Sequence, residues 1–168
     1  MASQIKINKR LLQIAKQYCK AVQYHLKERL ITVALFGSVA RNEATPFSDI
    51  DLLVIAKELP KGRFARMDLL ENVDHEIDPL LELLRSQGII SDICVILKTP
   101  EEAKKLSPLY LDMVEDIKIL YDKNFFFSNI LDRLKISLKK LGAKRIKEGS
   151  YRYWELKPDY QPGEVFEI

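Results

Sequence analysis

Cysteine and histidine are scarce in this chain, with two of each among 168 residues. Cys19 and Cys94 lie far apart, and no CxxC or Cys/His cluster occurs, which excludes a disulfide framework and a zinc site. His25 and His75 lack metal-ligand spacing and read as ordinary helix residues. Long apolar runs are missing as well. No stretch reaches membrane-spanning length or resembles a signal peptide, so the expectation is a cytoplasmic protein without a membrane role. Repeats and low-complexity segments are absent too. Nor is there a large excess of charge. Lys and Arg number 27 against 24 Asp and Glu, a formal +3 that does not by itself announce a nucleic-acid binder.

The rest of the composition, 47% hydrophobic and 30% charged, describes a globular chain long enough for one domain, or one core with an appendage. Its centre is the stretch Val33 to Ala56, VALFGSVARNEATPFSDIDLLVIA. Val33 to Phe36 form the continuous apolar run of a buried strand. Gly37 allows a turn that a side chain would obstruct. Ser38 follows, and Val39 to Arg41 begin a helical turn, so backbone N–H groups and a hydroxyl gather in a space suited to phosphate. Asp49 and Asp51 open a second strand. Two residues apart, they present both carboxylates on one face with Cα atoms roughly 6–7 Å apart, within reach of one or two divalent ions. Magnesium commonly binds through one or two carboxylates plus the substrate's phosphates. A phosphate-holding turn beside a metal-holding pair is the equipment of phosphoryl or nucleotidyl transfer.

Gly37-Ser38, ten intervening residues and Asp49-x-Asp51 resemble the signature of the polymerase-beta-type nucleotidyltransferase superfamily. The flanks agree: an apolar strand before, Arg41 after the turn, Ser48 before the first aspartate and LLVI after the second. Within the superfamily the chain resembles the minimal nucleotidyltransferases, small prokaryotic proteins often paired with HEPN-domain partners. The resemblance covers roughly the first two-thirds of the chain. It implies an α/β fold, a small mixed β-sheet packed by helices, with a nucleotidyltransferase domain at 1–122 and a C-terminal helical and extended appendage at 123–168. It implies transfer of a nucleoside monophosphate, AMP from ATP, to an acceptor hydroxyl. Gly37 and Ser38 would hold the β- and γ-phosphates, and Asp49 and Asp51 would bind magnesium. Asp92 would be the third carboxylate, as metal ligand or base, and the alternative is an acid at the strand entry. Arg41 would either meet a phosphate oxygen or pair with Glu43, and Ser48 completes the nucleotide-side set. Arg63 and Arg66 are weaker phosphate candidates. The acceptor is a protein tyrosine if the HEPN-partner relationship holds. Modification of a small molecule, as in aminoglycoside-type enzymes, is a further reading. A catalytically inactive nucleotide-binding or assembly protein that keeps the fold is the alternative from another class, and a homo-oligomer is compatible with it.

Around this centre the periodicity predicts an amphipathic helix from Asn8, as N-cap, to Arg29. A loop at 59–62 leads to a helix over 63–87, interrupted near Asn72 to His75 and stopped by Gly88. Its acids, Asp68, Glu71, Asp74, Glu76, Asp78 and Glu82, read as solvated surface rather than metal ligands. A third strand is expected over Ile89–Leu97. Thr99-Pro100-Glu101-Glu102 is a capping-box helix start, Ser107-Pro108 starts another helix, and Ile117–Tyr121 reads as a returning strand. Phe125–Leu141 is a helix with a basic exterior. Lys144 to Trp154 interleaves cations with aromatics, which fits either nucleic-acid contact or a terminal hairpin packing its Tyr and Trp on the domain, the second being preferred. The tail, with Val165, Phe166 and Ile168, is expected to dock on this chain or on a partner. Abundant Lys, Glu and Ile hint at a thermophilic source.

Overall fold

Leu30–Phe36 and Ile50–Ala56, strands β1 and β2, are buried along nearly their whole length. Strands covered on both faces are read from sequence as unbroken apolar runs, and both obey that rule. They pair antiparallel, with Phe36 opposite Asp51 and Leu35 opposite Leu52. Ile93–Lys98, β3, joins β2 in parallel, and Lys118–Asp122, β4, joins the other side of β1 antiparallel. The sheet order is therefore β3-β2-β1-β4, a mixed four-stranded sheet. The computed structural model describes residues 2–149, 151–161 and 163–166.

Alternation sends successive side chains of β2 to opposite faces. Leu52 and Val54 join Val33 and Leu35 in one core with Leu11, Tyr18 and Val22 of α1, Ala2–Leu26, and with Val73, Ile77 and Leu84 of a long helix described below. Leu53 and Ile55 join Ile31 and Ala34 in the other core, with Tyr110, Met113, Phe127, Leu131, Leu134 and Leu138. The architecture is α/β, helices on both faces of a small mixed sheet.

A four-residue helical turn, α2 (Gly37–Ala40), leaves the end of β1. After β2 come α3 (Arg63–Asp68) and α4 (Glu71–Arg85), so the helical stretch is broken at Leu69–Leu70 rather than near Asn72 to His75. Leu70 is fully buried beneath the break. Tyr18 on α1 donates its hydroxyl to Asp74 on α4 at 2.9 Å, tying the two helices. The acids of α3 and α4 form no metal cluster among the described residues.

The third strand begins at Ile93, not Ile89. Ile89 and Ile90 belong to the approach, where the Ile90 amide donates to the Pro46 carbonyl at 2.7 Å. Thr99 caps α5 (Pro100–Lys104) with both hydrogen bonds of a capping box. Glu102 of that box also receives a two-pronged hydrogen bond from Arg66, at 2.8 Å on each oxygen, which holds its carboxyl down at about 2. Arg66 further donates to the Pro60 and Leu97 carbonyls, so it is a brace between loop and sheet edge. Then α6 (Pro108–Asp116) leads to β4, and α7 (Phe126–Lys140) to a hairpin of β5 (Lys144–Glu148) and β6 (Tyr151–Glu155).

The hairpin divides its residues between faces. Trp154 packs against the α7-side core, whereas Tyr151 and Tyr153 are exposed, so the expectation that the tyrosines pack inward fails. In the tail Phe166 meets Tyr160 edge-on, Val165 is exposed, and Ile168 lies outside the described residues. No helix among the described residues is long and apolar enough to cross a membrane.

Asn8 corrects a further expectation. Because α1 begins at Ala2, Asn8 is inside the helix and caps nothing. It is buried, and it reaches α2 and the loop that follows, donating to the Val39 carbonyl and to Asn42 Oδ1 and accepting from the Ala44 amide. A buried polar group that loses its partners costs its full desolvation penalty. Asn8→Ala is therefore expected to destabilise the fold by about 2 kcal/mol, read by urea unfolding.

Candidate active site

The end of β1 and the start of β2 are neighbours, so the turn leaving β1 must cross the side chain at Asp51. Gly37 makes that crossing with φ +72, a left-handed conformation that costs glycine little. A Cβ built on Gly37 would lie 2.0 Å from Asp51 Oδ2. The absence of a side chain is what lets the carboxylate stand against the turn. Ser38 follows, half-buried. With four residues, α2 contributes individual N–H groups and a hydroxyl rather than a macrodipole.

Asp49 sits one residue before β2 and is exposed, while Asp51 is on the strand and half-buried. Burial raises the Asp51 carboxyl above its ordinary range, the charge of Asp49 raises it further, and Arg41 partly opposes both. The structure thus brings Gly37, Ser38, Arg41, Asp49 and Asp51 into one neighbourhood.

Asp92 arrives differently. It lies just before β3, and its backbone, not its carboxylate, meets the pair: the amide donates to Asp49 Oδ1 at 3.2 Å, and the carbonyl accepts from Ile50 at 2.9 Å. Its carboxylate is 73% exposed and lies 3.7 Å from Arg85 Nη2. Ser48 is also turned to a local task. Its hydroxyl accepts from the Thr45 amide at 2.9 Å and shapes the turn that delivers Asp49. Arg41 pairs with Glu43 through Nε at 3.0 Å. Arg63 is exposed and Arg66 is committed to its brace.

Cys94 is a neighbour that spacing alone does not single out. It lies opposite Asp51 in the parallel β2–β3 register, with Sγ 3.9 Å from Asp49 Oδ2. Burial raises its thiol, and the charges of Asp49, Asp51 and Asp92 raise it in turn, so all three acids lie around it. Knowledge of the strand register is the signal that would have found it. Both cysteines are free thiols.

The donor set suits a hard divalent cation. Asp51 is a partly buried carboxylate whose charge is opposed by burial and by a second carboxylate, and a cation between them relieves both. No group of three His, Cys, Asp or Glu side chains is arranged for a metal among the described residues. Two carboxylates from the protein, with water and phosphate oxygens completing the shell, are sufficient for magnesium.

Fold and site together define a nucleotidyltransferase. The nucleotidyltransferase domain family model matches residues 13–157, and the chain belongs to that family. A Methanocaldococcus jannaschii protein, provisionally named a protein adenylyltransferase, is 36% identical over 135 residues, 79% of this chain and 86% of that protein. A second such protein from the same organism is 40% identical over 50 residues, 30% of this chain and 50% of its own. Among solved structures, a toxin-antitoxin crystal structure with AMP-PNP is 18% identical with a TM-score of 0.48, covering 76% of this chain and 92% of that one. Spectinomycin adenyltransferase AAD(9) from Enterococcus faecialis, solved with ATP and spectinomycin, is 18% identical with a TM-score of 0.49, covering 77% and 66%.

Two outcomes test the geometry. Gly37→Ala is expected to displace the Asp51 carboxylate and lower kcat/KM about 100-fold in a transfer assay. Asp51→Asn is expected to raise the melting temperature at neutral pH by about 2 °C, because it removes a charge that the fold disfavours. An acid whose carboxyl is raised on folding loses stability as pH rises through its raised range. The advantage of the variant should therefore shrink as pH falls through that raised range, where folded wild-type Asp51 takes up its proton, and vanish once the pH is below the ordinary carboxylate range.

Proposed function

We propose that this nucleotidyltransferase moves AMP from magnesium-bound ATP to the hydroxyl of a protein tyrosine, on a HEPN-domain partner. The observation that carries the reading is the Asp49–Asp51 pair set against the side-chain-free turn at Gly37. Relatives that carry a protein adenylyltransferase name support the choice of AMP and of a protein acceptor.

In this reading Gly37 and Ser38 hold the β- and γ-phosphates by N–H and hydroxyl groups, and Asp49 and Asp51 hold the metal. Magnesium, when bound, neutralises phosphate charge and steadies the departing pyrophosphate. The chain's residues align the acceptor oxygen with the α-phosphorus. A bond forms between them, the bond to the bridging oxygen of the β-phosphate breaks, and pyrophosphate leaves. Asp92, exposed at the mouth and joined to Asp49 through its backbone, takes the hydroxyl proton once it turns from Arg85.

The test is incubation with α-labelled ATP and magnesium, using the protein alone and then a lysate of its host. Label is expected on a discrete protein band and on tyrosine within it. Asp49→Asn should lower labelling at least about 100-fold with the fold intact, and Asp92→Asn should slow transfer while leaving ATP binding unchanged. Full transfer by the Asp49→Asn, Asp51→Asn double variant would sink the site assignment.

A further inference from the structure

Arg152 belongs to β6, yet its Nη2 donates to Glu43 Oε1 across 109 positions of sequence. The other oxygen of the same carboxylate, Oε2, accepts from Arg41 Nε at 3.0 Å. One glutamate is thus shared by two guanidiniums. Its carboxyl is held below the ordinary range, by the hydrogen bond from Arg152 first and that from Arg41 second.

This trio is built onto the Gly-Ser turn. The Arg41 amide donates to the Gly37 carbonyl at 3.2 Å, and the Glu43 amide donates to the Ser38 carbonyl at 2.9 Å. Displacement of Glu43 is therefore felt at Ser38 and Arg41 together. On the other side, Arg152 hangs from a hairpin with its own anchors. Trp154, on the same strand face two residues on, packs against the α7-side core, as does Phe36, the register partner of Asp51. Arg145, opposite Trp154, is clasped by Glu115 and Asp116 of α6.

Charge gives the arrangement a direction. An isolated Arg41–Glu43 pair is neutral, and a Glu43 carboxylate released from Arg152 is free to turn and engage a terminal amino group of Arg41 as well as Nε. Sharing with Arg152 limits Glu43 to Arg41 Nε and leaves the trio with one net positive charge. We propose that Arg152 is a positioning residue for the triphosphate: through Glu43 it fixes Arg41 so that its terminal amino groups meet the β- and γ-phosphates. The inference rests on the reading of this site as a triphosphate site. It makes the hairpin a working part of that site rather than an appendage.

The experiment is calorimetric titration with a non-hydrolysable ATP analogue, and separately with AMP, into wild type, Arg152→Ala, Arg152→Lys, Arg41→Ala and the Arg41→Ala, Arg152→Ala double variant. Arg152→Ala is expected to weaken the triphosphate about tenfold and AMP less than about twofold, with Arg152→Lys recovering part of the loss. In the Arg41→Ala background, removing Arg152 should add less than about a further twofold, because its route to the ligand is already gone. Melting temperatures of all variants, taken alongside, register any general loosening of the hairpin. Equal losses for AMP and triphosphate, or independent losses for the two arginines, would show a merely structural role and overturn the proposal. An unchanged triphosphate affinity in Arg152→Ala would overturn it alone. A wild type that binds no triphosphate would overturn the transferase reading, and this proposal with it.

Discussion

The approach of Gly37 to Asp51 is the constraint on which the site depends. Phe36 and Asp51 are paired across β1 and β2, so the chain leaving β1 has no path that avoids the carboxylate. A hydrogen at the Gly37 Cα fits, and a methyl group would stand 2.0 Å from Asp51 Oδ2. The loop beyond the turn is then held from three distant elements. Asn8 of α1 bonds Val39, Asn42 and Ala44; Lys118 of β4 reaches Asn42 Oδ1 at 2.8 Å; Arg152 of β6 takes Glu43. A single turn draws support from both faces of the sheet.

The same closeness has an energetic cost. Half-burying Asp51 beside Asp49 opposes ionisation of Asp51, and the fold carries that opposition because the apolar strands around it are secure on both faces. The rigid part of the molecule is thus the sheet, with the charges placed at its open end. Pre-set charge of this kind is useful where a polyanion and a cation are bound together, since the binding partners supply what the fold withholds.

Much of the fold was legible because its signals are local. Apolar runs gave β1 and β2, Thr99-Pro100-Glu101-Glu102 gave a capping box, and the spacing from Gly37-Ser38 to Asp49-x-Asp51 put turn and carboxylates in one place. The errors arose where tertiary contact overrides a local sign. Asn8 has the chemistry of an N-cap, yet α1 runs through it and spends that chemistry on a loop more than thirty residues away. Ile89 and Ile90 look like strand, but the approach to β3 bonds to Pro46 first, and the ladder starts at Ile93. Buried Leu70 sets the helix break, which polarity alone misplaced. Interleaved cations and aromatics in the hairpin had two readings, and the strand faces divide them: Arg145 and Arg152 pair with acids, Trp154 packs, and the tyrosines face out. No window of sequence could report a bond between positions 43 and 152.

That last bond sets an order of events during synthesis. Gly37, Asp49 and Asp51 leave the ribosome early, and strands β1 and β2 can pair as soon as both have emerged. The clasp on Glu43 waits until more than a hundred further residues have been made and the hairpin has docked. A nascent chain therefore carries its carboxylates, exposed and unfinished, well before the arginine clasp exists. The charge pattern around the Gly-Ser turn is thus assembled from the two ends of the synthesis, the acids first and the second arginine last.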